Sequence, residues 1–252
     1  LTHLPTGGAN QFSKGLRDFL ITKGIYEKNP KCAEVIIVNC SPSAFLKKIP
    51  SLILILLRKK VFIVARLDGP VFLIRGHDLW ADKLFFCFCE KIADLVIFQS
   101  TWSKSRCLEL GLNGEQTNSC TIINSADTRL FFPEKEKKQL SENSKIRCII
   151  STWSNNWRKG FEYYKWIDQN LNFENFEVIF VGNSELKFEN ISMLPPMNSG
   201  ELATIMRTCD LYLTASQNDP CSNSLIEAMA CGLFPIVLKD GGHPEIVGDL
   251  GA

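Results

Sequence analysis

One stretch near the carboxyl end, residues 216–248, constrains the fold more than any other part of the chain. It reads as a loop, a short helix, a buried strand and a glycine turn. The helix is predicted over residues 222–230, where one apolar face is formed by Leu225, Ala228 and Met229 at the i, i+3, i+4 spacing. The β-branched apolar run at residues 234–238 is typical of a buried parallel strand. The stretch therefore predicts one repeat of a parallel α/β sheet.

Polar residues at the start of this helix indicate a ligand site. Free backbone N–H groups at a helix N-terminus can bind an anion, and Ser222 and Asn223 occupy that position. Asp219 lies before the helix, and Glu227 lies on its second turn. Two carboxylates beside an anion site suit a ligand that carries both a phosphate and several hydroxyl groups.

The rest of the chain alternates short apolar strands with helices, which is typical of parallel-sheet α/β domains. Residues 134–145 (EKEKKQLSENSK) are almost wholly polar and read as a linker. We therefore predict two Rossmann-like domains, at residues 1–135 and 146–252. The chain begins without Met and stops directly after a glycine turn, so we expect both termini to be truncated and the second domain to be incomplete.

Composition excludes several classes of protein. A net charge of +1 gives no indication of nucleic-acid binding, and 45% apolar residues are enough for a packed core. The 10 Cys are scattered without metal-ligand spacing, which favours reduced thiols, no metal site and a cytoplasmic location. Residues 45–59 are apolar and basic but too short an apolar run to span a bilayer. They form either a helix packed on the sheet or a helix resting on the inner face of a membrane.

Two further candidates lie in the first half of the chain. Gly7 and Gly8 precede a helix predicted over residues 11–23, where they would permit close approach of a ligand to the backbone; an ordinary strand–helix turn explains them equally. Asp68 belongs to the sequence RLDGP at the end of a predicted strand. Ligands of open α/β sheets bind at such strand ends, so Asp68 is either a site residue or part of a salt-bridged turn with Arg66.

The sequence LIEAMACGLFPIV followed by GGHPEIVG resembles the glycosyl transferases group 1 family, retaining enzymes of the GT-B fold. That family has two acids separated by seven residues: Asp219 replaces the first Glu, and Glu227 matches the second. The resemblance implies two Rossmann-like domains that face a cleft, the first on the acceptor side and the second binding a nucleotide sugar. It further implies metal-independent retaining transfer of the sugar to a saccharide, lipid or protein acceptor, with no cofactor besides the donor substrate.

The resemblance also assigns roles to residues. Lys159 matches the family's phosphate-binding Lys in its K-G context, and the Arg usual five residues earlier is Ser154 here. Either Arg158 substitutes for that Arg or the diphosphate is held more weakly. Asp219 is expected near the donor sugar, so we predict the catalytic residues Lys159, Arg158 and Asp219.

For binding, the resemblance places Glu227 on the nucleotide ribose, Gly7 and Gly8 opposite the donor phosphate, and Asp68 beside the acceptor side of the cleft. Structural alternatives remain open. Lys159 could be a solvated surface residue, Asp219 could only stabilise the helix N-terminus, and Glu227 could complete an S-x-x-E capping box with Ser224.

Two other functions also remain open. The chain could be a catalytically weak protein that binds nucleotide sugars or glycans, which the departures at Ser154 and Asp219 favour. It could instead be a sugar-nucleotide epimerase of the same architecture. We predict a glycosyltransferase whose partners are a nucleotide-sugar donor and a glycan or lipid-linked acceptor, with peripheral membrane contact if residues 45–59 lie on a bilayer.

Overall fold

The computed structural model describes residues 8–39, 61–134 and 144–250. The chain divides into two compact units: Ala9–Ile123 form one, and Asn124–Ala252 form most of the other. Each unit is built on one parallel β-sheet. Gly7, the apolar and basic segment 45–59 and most of the linker 134–145 lie outside the described residues.

The first unit contains a four-stranded sheet in the order β1-β2-β3-β4. The strands are β1 (Val35–Asn39), β2 (Phe62–Leu67), β3 (Leu95–Phe98) and β4 (Ser119–Thr121). The helices are α1 (Gly8–Thr22), α2 (Val71–Arg75), α3 (Leu79–Lys91) and α4 (Thr101–Glu109). A core of strand residues and α3 aromatics, including Ile63, Val96, Phe85 and Phe88, joins helix to sheet. In the strand register Asn39 of β1 lies beside Arg66 of β2, so polar side chains meet at the carboxyl ends of the strands.

The second unit contains a five-stranded sheet in the order β7-β6-β5-β8-β9. Its strands are β5 (Ile146–Thr152), β6 (Phe176–Gly182), β7 (Ser192–Leu194), β8 (Leu211–Thr214) and β9 (Phe234–Val237). Its helices are α5 (Phe161–Asn170), α6 (Ser199–Arg207), α7 (Asn223–Ala230) and α8 (His243–Val247). Central strand β5 sends Ile149 into one apolar cluster and Ile150 into another, so it is buried on both faces, as expected of a strand inside a parallel sheet.

The segment before the linker packs on the second unit. Phe131 is 2% exposed and belongs to the same apolar cluster as Ile149 and Met206. Arg207 of α6 donates to the Leu130 carbonyl at 2.8 Å and lies over the Phe132 ring. The sequence assigned residues 124–135 to the first domain, since their apolar side chains carry no local sign of the unit on which they pack.

The elements follow the predicted order with small shifts. The helix predicted over residues 11–23 is α1, and it begins at Gly8. Strand β4 ends at Thr121, which pairs with Phe98, the last residue of β3. Among the described residues, no helix is long and apolar enough to cross a membrane.

Candidate functional site

Lys159 reaches its position through a tight turn after β5. Residues Trp157–Lys159 form a 3-10 turn, and Gly160 follows with φ of 94° as the N-cap of α5. A Cβ at Gly160 would lie 2.7 Å from both the Cβ and the carbonyl oxygen of Ala215, directly after β8. The glycine of the K-G pair therefore allows the Lys159 turn to pack against the loop that leads from β8 to α7.

Lys159 forms an ion pair with Asp219 in this loop. The distance from Lys159 Nζ to Asp219 Oδ2 is 2.8 Å, and the side chains are 30% and 11% exposed respectively. Asp219 Oδ1 also accepts from the backbone N–H of Cys221 at 3.2 Å. Burial alone would raise the pKa of Asp219, but the charge of Lys159 and the hydrogen bonds from Lys159 and the Cys221 N–H outweigh it, so this pKa lies below its ordinary value. The carboxylate is therefore ionised at neutral pH.

The N-terminus of α7 begins three residues after Asp219. Ser222 is its N-cap, and the Ser222 hydroxyl accepts from the Leu225 N–H at 3.4 Å. The first helical residue, Asn223, accepts a hydrogen bond from the Asn124 amide at 2.7 Å. Ser222 and Asn223 thus lie where the sequence placed them. Their contact with an anion stays a prediction.

Glu227 lies on the second turn of α7 and does not cap the helix. The N-cap is Ser222 and the residue at N3 is Leu225, so the capping box of Ser224 with Glu227 is wrong. Ser224 instead accepts a hydrogen bond from the Tyr212 hydroxyl at 2.7 Å. The side chain of Glu227 is half-buried, and burial raises its pKa to about 7. A carboxylate in this state suits a ligand that supplies hydroxyl donors.

The glycine turn after β9 is fastened to the main chain of Asp219. Gly242 N–H donates to the Asp219 carbonyl at 2.8 Å, and Gly241 has φ of 64°. A Cβ at Gly241 would lie 2.3 Å from the same carbonyl oxygen, so only glycine fits. Asp240 accepts from the Asn218 N–H at 2.8 Å. The turn therefore holds the loop that carries Asp219.

His243 is the residue of this region whose importance sequence reasoning missed. It is fully buried at the start of α8, and burial lowers the pKa of its ring. A histidine directly after the two glycines was the only available signal in the sequence.

Arg158 enters the described contacts through its backbone. Its N–H donates to Asn156 Oδ1 at 3.0 Å, and its carbonyl accepts from the Gln217 N–H at 2.7 Å. The hydroxyl of Ser154, at the position of the family's Arg, accepts from the Asn156 N–H at 3.1 Å. A substituting role for the Arg158 side chain stays a prediction.

Asp68 lies in the first unit, at the carboxyl end of β2. Arg66 Nη1 donates to Asp68 Oδ1 at 2.5 Å and to Asn39 Oδ1 at 2.9 Å, and Gln99 also donates to Asp68. The Arg66 guanidinium lies 3.7 Å from the centre of the Phe12 ring. The structure therefore contains the salt-bridged turn that the sequence left open as an alternative, while ligand binding by Asp68 stays a prediction.

Gly8, predicted to lie opposite the donor phosphate, is the first residue of α1, and its contact with a ligand stays a prediction.

The structure thus brings four predicted site residues into one loop–helix region of the second unit: Lys159, Asp219, Ser222 and Asn223. Glu227 extends the region by one helical turn. In the described parts of the chain, no group of three or more His, Cys, Asp or Glu side chains could hold a metal ion. Metal independence stays a prediction.

Comparisons with known proteins give a match to one family model and a fold. The family model described as glycosyl transferases group 1 matches residues 132–251. No curated protein matches the chain.

Among solved structures, sucrose-phosphate synthase from Thermosynechococcus elongatus is 15% identical with a TM-score of 0.64, over 93% of this chain and 61% of that one. Anabaena Alr3699/HepE in complex with UDP-glucose is 15% identical with a TM-score of 0.66, over 95% and 67%. The catalytic domain of starch synthase IV from Arabidopsis thaliana, bound to ADP and acarbose, is 16% identical with a TM-score of 0.62, over 94% and 62%.

These similarities establish the fold. The matched structures are GT-B glycosyltransferases, and they align with more than nine-tenths of this chain. The predicted α/β architecture with two Rossmann-like parallel sheets is therefore confirmed. The chain spans about 61% of the sucrose-phosphate synthase that it matches.

Proposed function

We propose that the chain is part of a glycosyltransferase that uses a nucleotide-diphosphate sugar, because the family model of glycosyl transferases group 1 matches residues 132–251. The reaction breaks the bond between the anomeric carbon and the diphosphate, and negative charge develops on that leaving group. An enzyme of this kind needs fixed cations and N–H dipoles where the charge appears.

The observation that carries the proposal is the Lys159–Asp219 pair beside the N-terminus of α7. Lys159 brings a positive charge to the carboxyl end of β5, and the N-cap of α7, Ser222, lies three residues after Asp219 and after the end of β8. Ligands of open α/β sheets gather at such strand ends, and a helix N-terminus adds dipoles that favour an anion. Lys159 and the first N–H groups of α7 would together bind the diphosphate.

The two acids take the remaining parts of the donor. Glu227 would accept hydrogen bonds from the ribose hydroxyls, for which a half-buried carboxylate is well suited. Asp219 would contact the transferred sugar through Oδ2, the oxygen that also pairs with Lys159, because Oδ1 accepts from the Cys221 N–H. It is one methylene shorter than the family's Glu, so its reach toward the sugar is shorter.

The finer properties of the reaction belong to the same proposal. We propose retention of anomeric configuration, no metal requirement, and a saccharide, lipid or protein acceptor on the side of Asp68. We also keep the cytoplasmic location, with membrane contact through residues 45–59 in the case of a lipid-linked acceptor. Structures of similar fold are described with UDP-glucose and with ADP, so UDP- and ADP-sugars are the first donors to test.

The experiment compares two lysine variants of the full-length protein, Lys159→Met and Lys165→Met. Lys165 lies on α5 and is exposed, so it controls for the loss of one positive charge. We expect Lys159→Met to lower donor turnover about 100-fold to 1,000-fold, in the range found when one stabilising donor is removed. Transfer and slow hydrolysis of labelled nucleotide sugars, followed by product analysis, measure the effect.

Equal turnover of the two variants would contradict the proposal. Binding of a nucleotide sugar without any turnover would favour the second candidate, a weakly catalytic binding protein. The specific observation behind that candidate is Ser154, whose hydroxyl is engaged in the turn where the family has a cation.

A further inference from the structure

A buried phenol lies between the second sheet and helix α7. Tyr212 is the second residue of β8 and is 0% exposed, and it belongs to the apolar cluster that also contains Leu225 and Ala228 of α7. A phenol buried in this way needs a hydrogen-bond partner, because the loss of its hydration is otherwise costly. An apolar side chain at this position would avoid that cost, so the partner of the hydroxyl indicates what the tyrosine does.

The Tyr212 hydroxyl donates to Ser224, the second residue of α7. The distance between the two oxygens is 2.7 Å, the ordinary length of such a bond. The carbonyl oxygen and Oγ of Ser151 each lie 3.5 Å from the phenol oxygen, which is long for a hydrogen bond. Burial raises the pKa of Tyr212, so its single proton is present at neutral pH and is used in the bond to Ser224.

This bond connects the first turn of α7 directly to the sheet. Ser224 Oγ lies 3.4 Å from Oγ of the N-cap Ser222, which in turn accepts from the Leu225 N–H. The N–H groups of Asn223 and Ser224 have no carbonyl to bond within the helix, and they are directed toward its N-terminal end. Holding the Ser224 side chain therefore limits the directions that these two N–H groups can take.

The neighbouring residue of the same turn is held as well. Asn223 accepts from the Asn124 amide at 2.7 Å, one residue before the bond from Tyr212 to Ser224. The first turn is thus fixed by side chains from two other segments before any ligand arrives. A site that is ordered in advance binds more tightly, because less conformational freedom is lost when the ligand binds.

We propose that Tyr212 is a positioning residue for the diphosphate-binding end of α7, which it holds in place through the Ser224 hydroxyl. The inference rests on the proposed function, because the anion bound there is the diphosphate of the donor. Tyr212 is fully buried and acts through Ser224, without transfer of a proton.

The test compares two side chains of equal shape at position 224. Ser224→Thr keeps the hydroxyl group, whereas Ser224→Val has a methyl group in its place. We expect Ser224→Val to weaken the binding of UDP and ADP about 2-fold to 10-fold, the range for one net hydrogen bond, and Ser224→Thr to stay within about twofold of the wild type. Calorimetry on the full chain, below the unfolding transition of each variant, measures the dissociation constants.

Tyr212→Phe removes the phenol oxygen alone. It should weaken nucleotide binding by a factor similar to that of Ser224→Val, and the double variant should bind no more weakly than either single one, because Tyr212 acts through Ser224. Ser151→Ala is the control for a nearby hydroxyl, and it should leave the affinity unchanged because its contact with the phenol is long.

A purely structural phenol would give a different result. Tyr212→Phe would then have a lower melting temperature but the affinity of the wild type, and that outcome would overturn the inference. Additive losses of affinity in the double variant would overturn it too. If Tyr212→Phe does not fold, equal affinities of Ser224→Thr and Ser224→Val decide against the inference.

Amide hydrogen exchange tests the same contact without a ligand. The N–H groups of Leu225 and Ile226 both bond Ser222, so their exchange reports on the first turn. Exchange should be faster in Tyr212→Phe and Ser224→Val than in the wild type and Ser224→Thr, and equal rates in all four would contradict the inference. If the wild type binds neither UDP nor ADP, the result counts against the proposed function, and the exchange rates still decide whether Tyr212 holds the helix end.

Discussion

The two sheets each carry a cation–carboxylate pair at their carboxyl ends, and the pairs differ in how firmly they are held. Arg66 is 4% exposed at its side chain, bonds Asn39 and Asp68 through one nitrogen, and lies over the ring of Phe12. Lys159 is 30% exposed at its side chain, and within the described structure its amine bonds Asp219. Several contacts therefore fix the Arg66 guanidinium. The more exposed amine of Lys159 is better placed to bind an anionic ligand in place of Asp219.

The chemistry of the two cations accounts for this difference. A guanidinium is planar, offers five N–H donors and stacks on aromatic rings, so several neighbours can fix it at once. An ammonium is a compact charge on a flexible stem. An arginine therefore suits a fixed architectural role, and a lysine suits a site where an anionic ligand must compete successfully for the cation.

The largest expected effect is the difference in unfolding free energy that is lost when the cation of each pair is removed. Arg66→Met should lower the free energy of unfolding by about 3–5 kcal/mol, the usual cost of removing one partner of a buried pair. Lys159→Met should cost roughly 1–2 kcal/mol, because its partner keeps the Cys221 N–H and has His243 nearby. Denaturant unfolding at pH 7 measures both.

Equal losses in the two variants would break the comparison. A matched control is Arg66→Met combined with Asp68→Asn, which removes the charge left behind. This double variant should recover part of the loss if the unpaired carboxylate causes it.

The sequence predicted the local features of both sites better than their pairings. The Lys159-Gly160 turn, the helix near Ser222 and the strand after it follow from spacing and from glycine placement. The cap was misassigned to Ser224 as an alternative because two serines stand close together, and only the backbone decides which one is the N-cap. The burial of Phe131 against the second unit depends on packing that no local pattern encodes.

The other contacts that the sequence did not predict join residues far apart in the chain. The Arg66 contacts join residues from three neighbouring strands or their ends, and the strand register brings them together. Gly242 contacts Asp219 because a glycine turn packs on a distant loop. Such contacts between segments 20 or more residues apart become visible only when the chain is folded.

A third carboxylate, Glu227, sharpens the comparison because no cation of the described structure pairs with it. Burial raises its pKa to about 7, so the folded protein binds a proton more tightly than the unfolded chain. Stability is therefore lost as pH rises from about 4.5 to about 7, and the loss is complete above that range. Glu227→Gln should raise the free energy of unfolding by up to about 3 kcal/mol at pH 8.

The pH series supplies the control for this prediction. At pH 4, where Glu227 is protonated in both states, the variant and the wild type should be equally stable. Nucleotide binding should weaken in the variant even as stability rises, because an amide is a poorer acceptor than a carboxylate for two ribose hydroxyls. A variant that is less stable at pH 8 would show that an ionised Glu227 is stabilised by the fold.

The smallest expected effect concerns the N-terminus of α7. It distinguishes the contribution of the N-cap to helix stability from its contribution to ligand binding. Ser222→Ala removes the N-cap hydrogen bond to Leu225 and should cost about 1 kcal/mol of unfolding free energy. Asn198→Ala is the matched control, because Asn198 caps α6 in the same unit through the Gly200 and Glu201 N–H groups. Both variants should lose similar stability, but only Ser222→Ala should weaken nucleoside diphosphate binding, measured by calorimetry, since α7, unlike α6, begins near Asp219. Equal affinities in the two variants would mean that the diphosphate does not contact the end of α7, and Lys159 alone would then have to hold it.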